Sequence, residues 1–395
     1  MSAPVEWGVQ TGTTGHPDTL VELESLLADA ARHSASDIIL VADAPPTIYT
    51  NGRWASLGRQ PLTPEDISHC IEKHLTEPQR ARLHKHRDVD ISLTLGSDRR
   101  YRANFHYQRG SLAAAFRAIP ARVPTFDELS LPPRVLGFAE YPHGLVLVTG
   151  GTGQGKSTTL AALIDHMNCT RAAHIITIED PIEFNFKHGS CIIEQRQIGD
   201  DSPSFASALR HVLRQRPDVI MIGELRDRET ISTALTAAET GHLILASLHT
   251  STATQTLARI IDVFPAEQQP QVRTQLAASL RAILCQVLIG DRLNDALTPA
   301  TEILMPNAAV RRALRDNETH LIYSMLETGR SAGMNTLEQS LADLIKSGRA
   351  TTEQALAAAA EPSILERLIG NKTPVASAVA RAPDRAPPGR SQSAV

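Results

Sequence analysis

A short glycine-rich segment has the residue types and the spacing needed to hold a phosphate chain. It consists of Gly150, Gly151, Thr152, Gly153, Gln154, Gly155, Lys156 and Ser157, with Thr158 next to it, and matches the pattern GxxxxGK[ST]. The apolar run Leu145–Val148 precedes it and a helix is predicted to begin near Lys156, so backbone amides and a helix N-terminus would point at the phosphates. We expect Lys156 to reach the β- and γ-phosphates and the Ser157 hydroxyl to bind Mg²⁺. The segment therefore predicts a site for a nucleoside triphosphate and Mg²⁺.

Acidic residues follow two further apolar runs that are predicted to be strands of the same sheet. The run Ile175–Ile178 leads into Glu179 and Asp180, with Glu183 soon after, and a second run leads into Glu224. Ligands of parallel sheets bind beyond the carboxyl ends of the strands, so these acids are expected on the same rim as the glycine-rich loop. One acid can help to hold Mg²⁺ through water, and another can orient or deprotonate the attacking water.

Two histidines stand at the ends of one predicted strand. His242 and His249 flank the apolar run Leu243–Leu248. They are separated by an odd number of residues, so their side chains point to opposite faces about 23 Å apart, which argues against a shared metal site. His249, at the carboxyl end, is expected to sense the γ-phosphate, whereas the sequence leaves His242 open between function and simple packing.

Composition restricts the class of protein. The 395 residues carry 39 Lys and Arg against 43 Asp and Glu, and aromatic residues make up only 4%. A net charge of −4 with so few aromatic side chains argues against a protein that coats nucleic acid, and we expect no specific nucleic-acid partner. The four cysteines are scattered and form no CxxC pair, which disfavours a four-cysteine zinc site and indicates reduced thiols in a cytosolic protein. No secretory signal or membrane span is visible, so a soluble protein is expected.

The helices and strands predicted around these residues divide into two domains with a linker between them. Residues 1–17 are predicted to be a loose tail and residues 18–119 a small α+β domain. Tyr101, Ala103 and Phe105 alternate with polar residues, which predicts a half-buried strand with a hairpin partner at Leu112–Ile119. The proline-rich residues 120–141 predict an extended, turn-containing linker that acts as a hinge.

In residues 142–370, short apolar strands alternate with helices. Continuous apolar strands of this kind are typical of a parallel sheet covered by helices on both faces. The last element of this series, Val272–Ile289, is predicted to be a helix, and further helices are expected within Ala308–Leu368. Residues 371–395 hold four prolines and few large apolar groups, which predicts a disordered tail.

Taken together, the segments resemble a known superfamily. GGTGQGKSTTLAALIDHMN, ITIEDPIEF, RQRPDVIMIGELRDRETISTALTAAETGHLILASLHT and RIIDVFP are similar to the four boxes of the secretion ATPases, in the same order. Within that superfamily the chain is most similar to the type IV pilus retraction ATPases of twitching motility, from about Leu23 to Leu368. The absence of a four-cysteine zinc motif also favours retraction over pilus assembly. Gly151 and Gln154 differ from the usual residues but stand at variable positions, so nucleotide binding is expected to survive.

The resemblance implies a fold and a set of roles. The expected fold class is α/β, a RecA-like P-loop NTPase domain with a smaller N-terminal α+β domain of the PAS-like type. The implied catalytic residues are Glu179 as the base, Glu224 near Mg²⁺, His249, Arg102 and Arg117. The implied nucleotide contacts beyond the loop are Asp180, Glu183, His242 and Arg109. The three arginines match positions that supply interfacial arginines in this family, where a guanidinium can stabilise γ-phosphate charge in trans.

The resemblance also implies partners. The chain is expected to form a homohexamer that hydrolyses ATP at the cytoplasmic face of the inner membrane. Its partner would be the inner-membrane pilus platform protein, and contact with the membrane would be peripheral and only through partners. The alternatives are a related secretion or DNA-transfer motor, a non-hydrolysing regulatory paralogue, and a helicase-like motor, which the charge and the low aromatic content disfavour.

Overall fold

The computed structural model describes residues 22–370 apart from residues 51, 52, 59, 96–98, 121, 294 and 295. The predicted tails at residues 1–17 and 371–395 lie outside the described residues. Two sheets organise the chain, one of six strands and one of seven. The predicted α/β class, with a smaller α+β unit preceding a P-loop domain, is confirmed.

The first sheet is antiparallel. Its elements are α1 (Leu23–Arg32), β1 (Asp37–Leu40), β2 (Thr47–Thr50), β3 (Arg53–Ser56), α2 (Pro64–Glu72), α3 (Glu77–His86), β4 (Asp88–Leu95), β5 (Arg99–Gln108) and β6 (Ser111–Ala118). The strand order is β3-β2-β1-β6-β5-β4. Alternate residues of β5, Tyr101, Ala103 and Phe105, are buried against the helices, as their spacing predicts, and Arg102 lies on the other face.

The second sheet is parallel except at one edge. Its strands are β7 (Gly144–Thr149), β8 (His174–Glu179), β9 (Ile192–Gln197), β10 (Val219–Ile222), β11 (Leu243–Leu248), β12 (Leu280–Asp291) and β13 (Ala296–Leu304). The order is β13-β12-β7-β11-β10-β8-β9, and only β13 runs antiparallel to its neighbour. Each residue of β7 and β11 is buried, because helices cover both faces.

The helices around this sheet are α4 (Phe126–Leu129), α5 (Lys156–Thr170), α6 (Phe205–Val212), α7 (Arg228–Glu239), α8 (Ala253–Asp262), α9 (Gln269–Ser279), α10 (Ala308–Arg315), α11 (Ile322–Thr328), α12 (Leu337–Lys346), α13 (Thr352–Ala358) and α14 (Pro362–Leu368). Several begin at a side chain that accepts a hydrogen bond from the first turn, such as Ser204 for α6, Asp227 for α7 and Thr252 for α8. The helices expected within Ala308–Leu368 are confirmed. None of the helices between residues 22 and 370 combines the length and the apolar character that a membrane-crossing helix needs.

The prediction of one helix over Val272–Ile289 is wrong. Helix α9 ends at Ser279, and the chain turns extended at Leu280 to form β12. The run LRAILCQVLIG is apolar except for Arg281 and Gln286, and periodicity alone cannot separate a buried helix from a buried strand in such a run. Pairing with β7 on one side and β13 on the other favours the strand.

The proline-rich segment is partly helical rather than extended. It contains α4 and a 3₁₀ helix at Pro133–Glu140. Val135 and Phe138 of the 3₁₀ helix are fully buried in the same core as α5. The second half of the segment is therefore packed against the second sheet, and the domain boundaries at residues 119 and 141 stay predictions.

Candidate nucleotide site

The glycine-rich loop connects β7 to α5 and is shaped by glycines that no other residue can replace without movement. Gly150 has φ 147°, and a Cβ there would lie 2.4 Å from the carbonyl oxygen of Gln286. Gly155 has φ 77°, and a Cβ there would lie 2.9 Å from Nε2 of the Gln286 side chain. Gln286 is buried on β12 and accepts a hydrogen bond from Thr159 of α5, so it cannot easily withdraw. The loop is thus held close to β12 with the N-terminus of α5 at its end.

Lys156 stands at the first turn of α5 and is largely buried. Its ammonium donates to the carbonyl oxygen of Gly151 at 2.7 Å and lies 3.3 Å from Nδ1 of His249. Burial lowers the pKa of Lys156, although the charges of Glu224 and Glu183 oppose the shift. A cation in this place, with acids nearby, is suited to bind phosphate oxygens.

Glu179 ends β8 and is buried beside the loop. One carboxylate oxygen accepts from the Thr177 hydroxyl at 2.6 Å and from the Gln195 amide at 3.2 Å, and the other accepts from the backbone amide of Glu183 at 3.3 Å. Burial raises the pKa of Glu179 and outweighs these hydrogen bonds, which act in the opposite direction. A carboxylate with a raised pKa is a better proton acceptor than an exposed one.

Glu224 follows β10 and lies beside two basic side chains. Its carboxylate lies 2.8 Å from the Arg226 guanidinium and 3.2 Å from Nε2 of His249. Burial opposes ionisation, but the hydrogen bond from Arg226 and the charge of His249 outweigh it, so the pKa of Glu224 is lowered. His249, just after β11, therefore bridges Lys156 and Glu224, at the rim that its position in the sequence predicts.

These groups surround one cavity of about 520 Å³. Of the predicted site residues, it is lined by Thr152, Gly153, Gln154, Gly155, Lys156, Ser157, Thr158, Glu179, Asp180, Glu183, Glu224, His249, Arg102 and Arg117. The apolar side chains of Leu160, Phe184 and Phe205 line it as well, which provides a surface for a nucleotide base.

A sequence profile of the family described as "Type II/IV secretion system protein" matches residues 128–373. The chain belongs to this family. It is 40% identical to the "Type IV pilus retractation ATPase PilT" of Pseudomonas aeruginosa over 335 residues, which cover 85% of this chain and 97% of that protein. It is 42% identical to a "Twitching motility protein" of Neisseria gonorrhoeae, over 84% of this chain and 88% of that protein.

Solved structures agree with the sequence relationships. The structure titled "Pilus Retraction Motor PilT and Bound ADP" superposes with a TM-score of 0.83 at 44% identity, covering 88% of this chain and 99% of that one. The ATPase DotB of Legionella pneumophila gives a TM-score of 0.73 at 26% identity, covering 87% and 97%. The resemblance to the pilus retraction ATPases is confirmed, as are the RecA-like P-loop fold and the class of enzyme, an ATP hydrolase with a nucleotide ligand.

Two of the predicted arginines line the cavity of their own chain. Arg102 of β5 and Arg117 of β6 are directly opposite each other in the strand register, and Arg117 also pairs with Asp37 at 2.8 Å. Like charges opposite each other on neighbouring strands destabilise a sheet. An anion between the two guanidinium groups would relieve that repulsion, which fits the terminal phosphates of a nucleotide.

Two other predicted residues lie away from this cavity. Arg109 is on the exposed turn between β5 and β6, with φ 49°. His242 is at the opposite end of β11 from His249, and its Nδ1 lies 3.1 Å from the carbonyl oxygen of Ala237, at the end of α7. Gly150 and Gly151 shape the start of the loop rather than line the cavity. The structure thus places His242 where a packing or capping role is available.

Three side chains of the site are absent from the predicted site residues, although the resemblance includes Arg226 in the segment around Glu224. Arg226 binds Glu224, while Thr177 and Gln195 bind Glu179. Arg226 and Thr177 are each two residues from an acid that the sequence singles out, so a search along the neighbouring positions could have found them. Gln195 is distant in sequence and belongs to β9, a strand that the sequence analysis did not predict.

Proposed function

We propose that this ATPase powers the retraction of a type IV pilus. Two of the relatives that the chain matches over most of its length are named for pilus retraction and twitching motility. A related type II secretion protein, HxcR of Pseudomonas aeruginosa, is 33% identical but matches only 58% of this chain and 52% of its own length. The chain therefore matches these two relatives over more of its length than it matches this secretion protein.

The observation that carries the enzymatic part of the proposal is the single cavity that holds the loop, the two acids and the two arginines. Lys156 and the loop amides bind the β- and γ-phosphates. Glu179, whose pKa is raised, accepts a proton from the attacking water. Arg102 and Arg117 stabilise the charge that develops on the γ-phosphate. His249 connects Lys156 to Glu224 and so responds to whatever occupies the phosphate position.

The residues present fit Mg²⁺ as the metal that accompanies ATP. The hydroxyl of Ser157 and the ionised carboxylate of Glu224 both line the cavity. Among the described residues no three His, Cys, Asp or Glu side chains are grouped to hold a metal, and Mg²⁺ is commonly held by few protein oxygens together with phosphates and water. When bound, the ion would neutralise phosphate charge, and Ser157 and Glu224 would orient it.

For the assembly we propose a homohexamer at the cytoplasmic face of the inner membrane, acting on the pilus platform protein. Because Arg102 and Arg117 reach the site from the same chain, Arg109 on the exposed turn is the arginine that we assign to a neighbouring subunit. Asp180 and Glu183, which are exposed and line the cavity, would contact the nucleotide as well. His242 contacts the end of α7 and not the cavity, so any effect of His242 on nucleotide binding would be indirect, through α7.

A gene deletion tests the direction of the motor. Loss of a retraction motor leaves pili that cannot be withdrawn, so we expect excess surface pili and no twitching. Complementation with the intact gene should restore both, whereas the Lys156→Ala variant should restore neither. Cells without pili would instead indicate an assembly motor, and piliation that does not change would favour the secretion or DNA-transfer alternative.

The non-hydrolysing alternative is tested with purified protein. Lys156, Glu179 and Glu224 are all in place around the cavity, which supports an active hydrolase. Nucleotide binding without any phosphate release would identify a regulatory paralogue instead. Salt-dependent binding to DNA would favour a helicase-like motor.

A further inference from the structure

Strand β9 stands between the acidic residues of the site and the first sheet. It pairs in parallel with β8, so that Gln197 is opposite Glu179 in the register. Its two glutamines, Gln195 and Gln197, point their amides at the segment that follows Glu179. Neither residue belongs to a motif singled out in the sequence.

Gln195 fixes the segment on the side of the second sheet. Its amide nitrogen donates to the Glu179 carboxylate at 3.2 Å and to the carbonyl oxygen of Phe184 at 2.8 Å. Its amide oxygen accepts from the backbone amide of Phe186 at 3.0 Å. One side chain therefore holds the carboxylate and the segment after it in a fixed relation.

Gln197 connects the same segment to the first sheet. Its amide oxygen accepts from the Ser92 hydroxyl at 2.7 Å and from the backbone amide of Ile182 at 3.3 Å. Its amide nitrogen donates to Asp200 at 2.6 Å, so both ends of the amide are engaged. Gln197 is only 7% exposed, and breaking these bonds would leave a buried polar group without its partner.

Ser92 lies next to Arg102, one of the two arginines that line the nucleotide cavity. It is the cross-strand partner of Arg102 between β4 and β5. A second cavity of about 250 Å³ is lined by Arg102, Asp180 and Gln197, which shows that the three come together where the two sheets meet. Nearby, Arg100 donates to Asn185 at 3.1 Å, so the segment after Glu179 is tied to the first sheet at a second point.

We propose that Gln197 is a positioning residue that sets the spacing between Glu179 and Arg102 across the nucleotide cavity. Through Ile182 it holds the acidic segment, and through Ser92 it holds the strand that carries Arg102. Movement of the first sheet relative to the second would break the Ser92 bond and release the arginine from the site. The inference rests on the roles proposed above for Glu179 and Arg102.

The test is a double-mutant cycle on ATP hydrolysis by the purified full chain. Ser92→Ala removes only the hydroxyl that bonds Gln197, and Gln197→Leu removes the whole amide. We expect Ser92→Ala to lower kcat about fivefold, the effect of one hydrogen bond, with the Kd for a fluorescent ADP analogue changed less than twofold. In the Gln197→Leu background, Ser92→Ala should have no further effect, because its partner is gone.

Thr94→Ala is the matched control, since Thr94 is an exposed hydroxyl two positions along β4. It should leave kcat unchanged. If Ser92→Ala behaves like this control, or if the two changes multiply in the double variant, the proposal is overturned. Thermal unfolding of Ser92→Ala checks that the fold is retained, and this variant keeps the test valid if Gln197→Leu does not fold. A Glu179→Gln variant that still hydrolysed ATP would refute the proposed base. The coupling between Ser92 and Gln197 is measured independently, so the two failures can be distinguished.

Discussion

The hydroxyl of Thr177 offers a way to change the pKa of Glu179, the proposed base, without replacing Glu179 itself. Thr177 is fully buried on β8 and donates to Glu179 at 2.6 Å. Replacing it with valine keeps the shape and removes the donor. A hydrogen bond to a charged group contributes about 1.5–3 kcal/mol, and it favours the ionised form of the carboxyl. Its loss should raise the pKa of Glu179 further, since burial then acts with less opposition.

The assay is the pH dependence of kcat for ATP hydrolysis. The base acts as a carboxylate, so activity falls as the pH drops through its pKa, and the acid limb of Thr177→Val should lie at higher pH than that of the wild type. If the hydrogen bond contributes about 1.5 kcal/mol, the lower end of this range, kcat on the acid limb should be about tenfold lower than in the wild type. The plateau at high pH should stay close to the wild-type value.

A matched control for this substitution lies on the other edge of the same sheet. Thr298 is fully buried, and its hydroxyl meets no hydrogen-bond partner among the described residues. Thr298→Val should leave the profile unchanged. A Thr177→Val profile that superimposes on the wild type would refute the reasoning, because protonation of Glu179 would then not limit turnover.

Three further predictions concern the loop, the arginines and a buried acid. Gly150→Ala brings a Cβ within 2.4 Å of the Gln286 carbonyl, so calorimetry should show ATP affinity reduced at least about tenfold, and unchanged affinity would contradict the loop geometry. Arg102→Gln should lower kcat at least about tenfold without lowering the free energy of unfolding, because repulsion from Arg117 is relieved; a loss of stability would contradict this account. Burial raises the pKa of Glu302 from 4.5 to about 7, so its contribution to stability is present below pH 4.5 and is lost as the pH rises to 7, a change of about 3 kcal/mol. Glu302→Gln should remove that decline in urea unfolding between pH 5 and 8, and a slope equal to the wild type would argue against it.

Most of the site could be predicted from the sequence because its main residues sit at the ends of strands. The loop is local in sequence, and Glu179, Glu224 and His249 each follow an apolar run, so parallel pairing alone brings them to one rim. Arg102 was placed by the resemblance, since an exposed arginine on a strand carries no signal of its own.

The two strands that the sequence does not predict, β9 and β12, depend on contacts between residues that are distant in sequence. Strand β9 reads IIEQRQ, in which polar residues at an edge hide the strand pattern, and Gln195 meets Glu179 only through the pairing with β8. The sequence predicts a helix across strand β12 because its mostly apolar run has no period that distinguishes a helix from a strand. In both cases the choice is made by neighbouring strands, which the local sequence does not specify.

We propose that this chain hydrolyses ATP with Glu179 as the base, and a comparison of two proteins tests this role. Wild-type protein and Glu179→Gln are assayed side by side for phosphate release at saturating ATP and Mg²⁺, with the Kd for ATP measured on the same samples. We expect Glu179→Gln to bind ATP as tightly as the wild type and to release phosphate at least about a hundredfold more slowly. Phosphate release at the wild-type rate would contradict it.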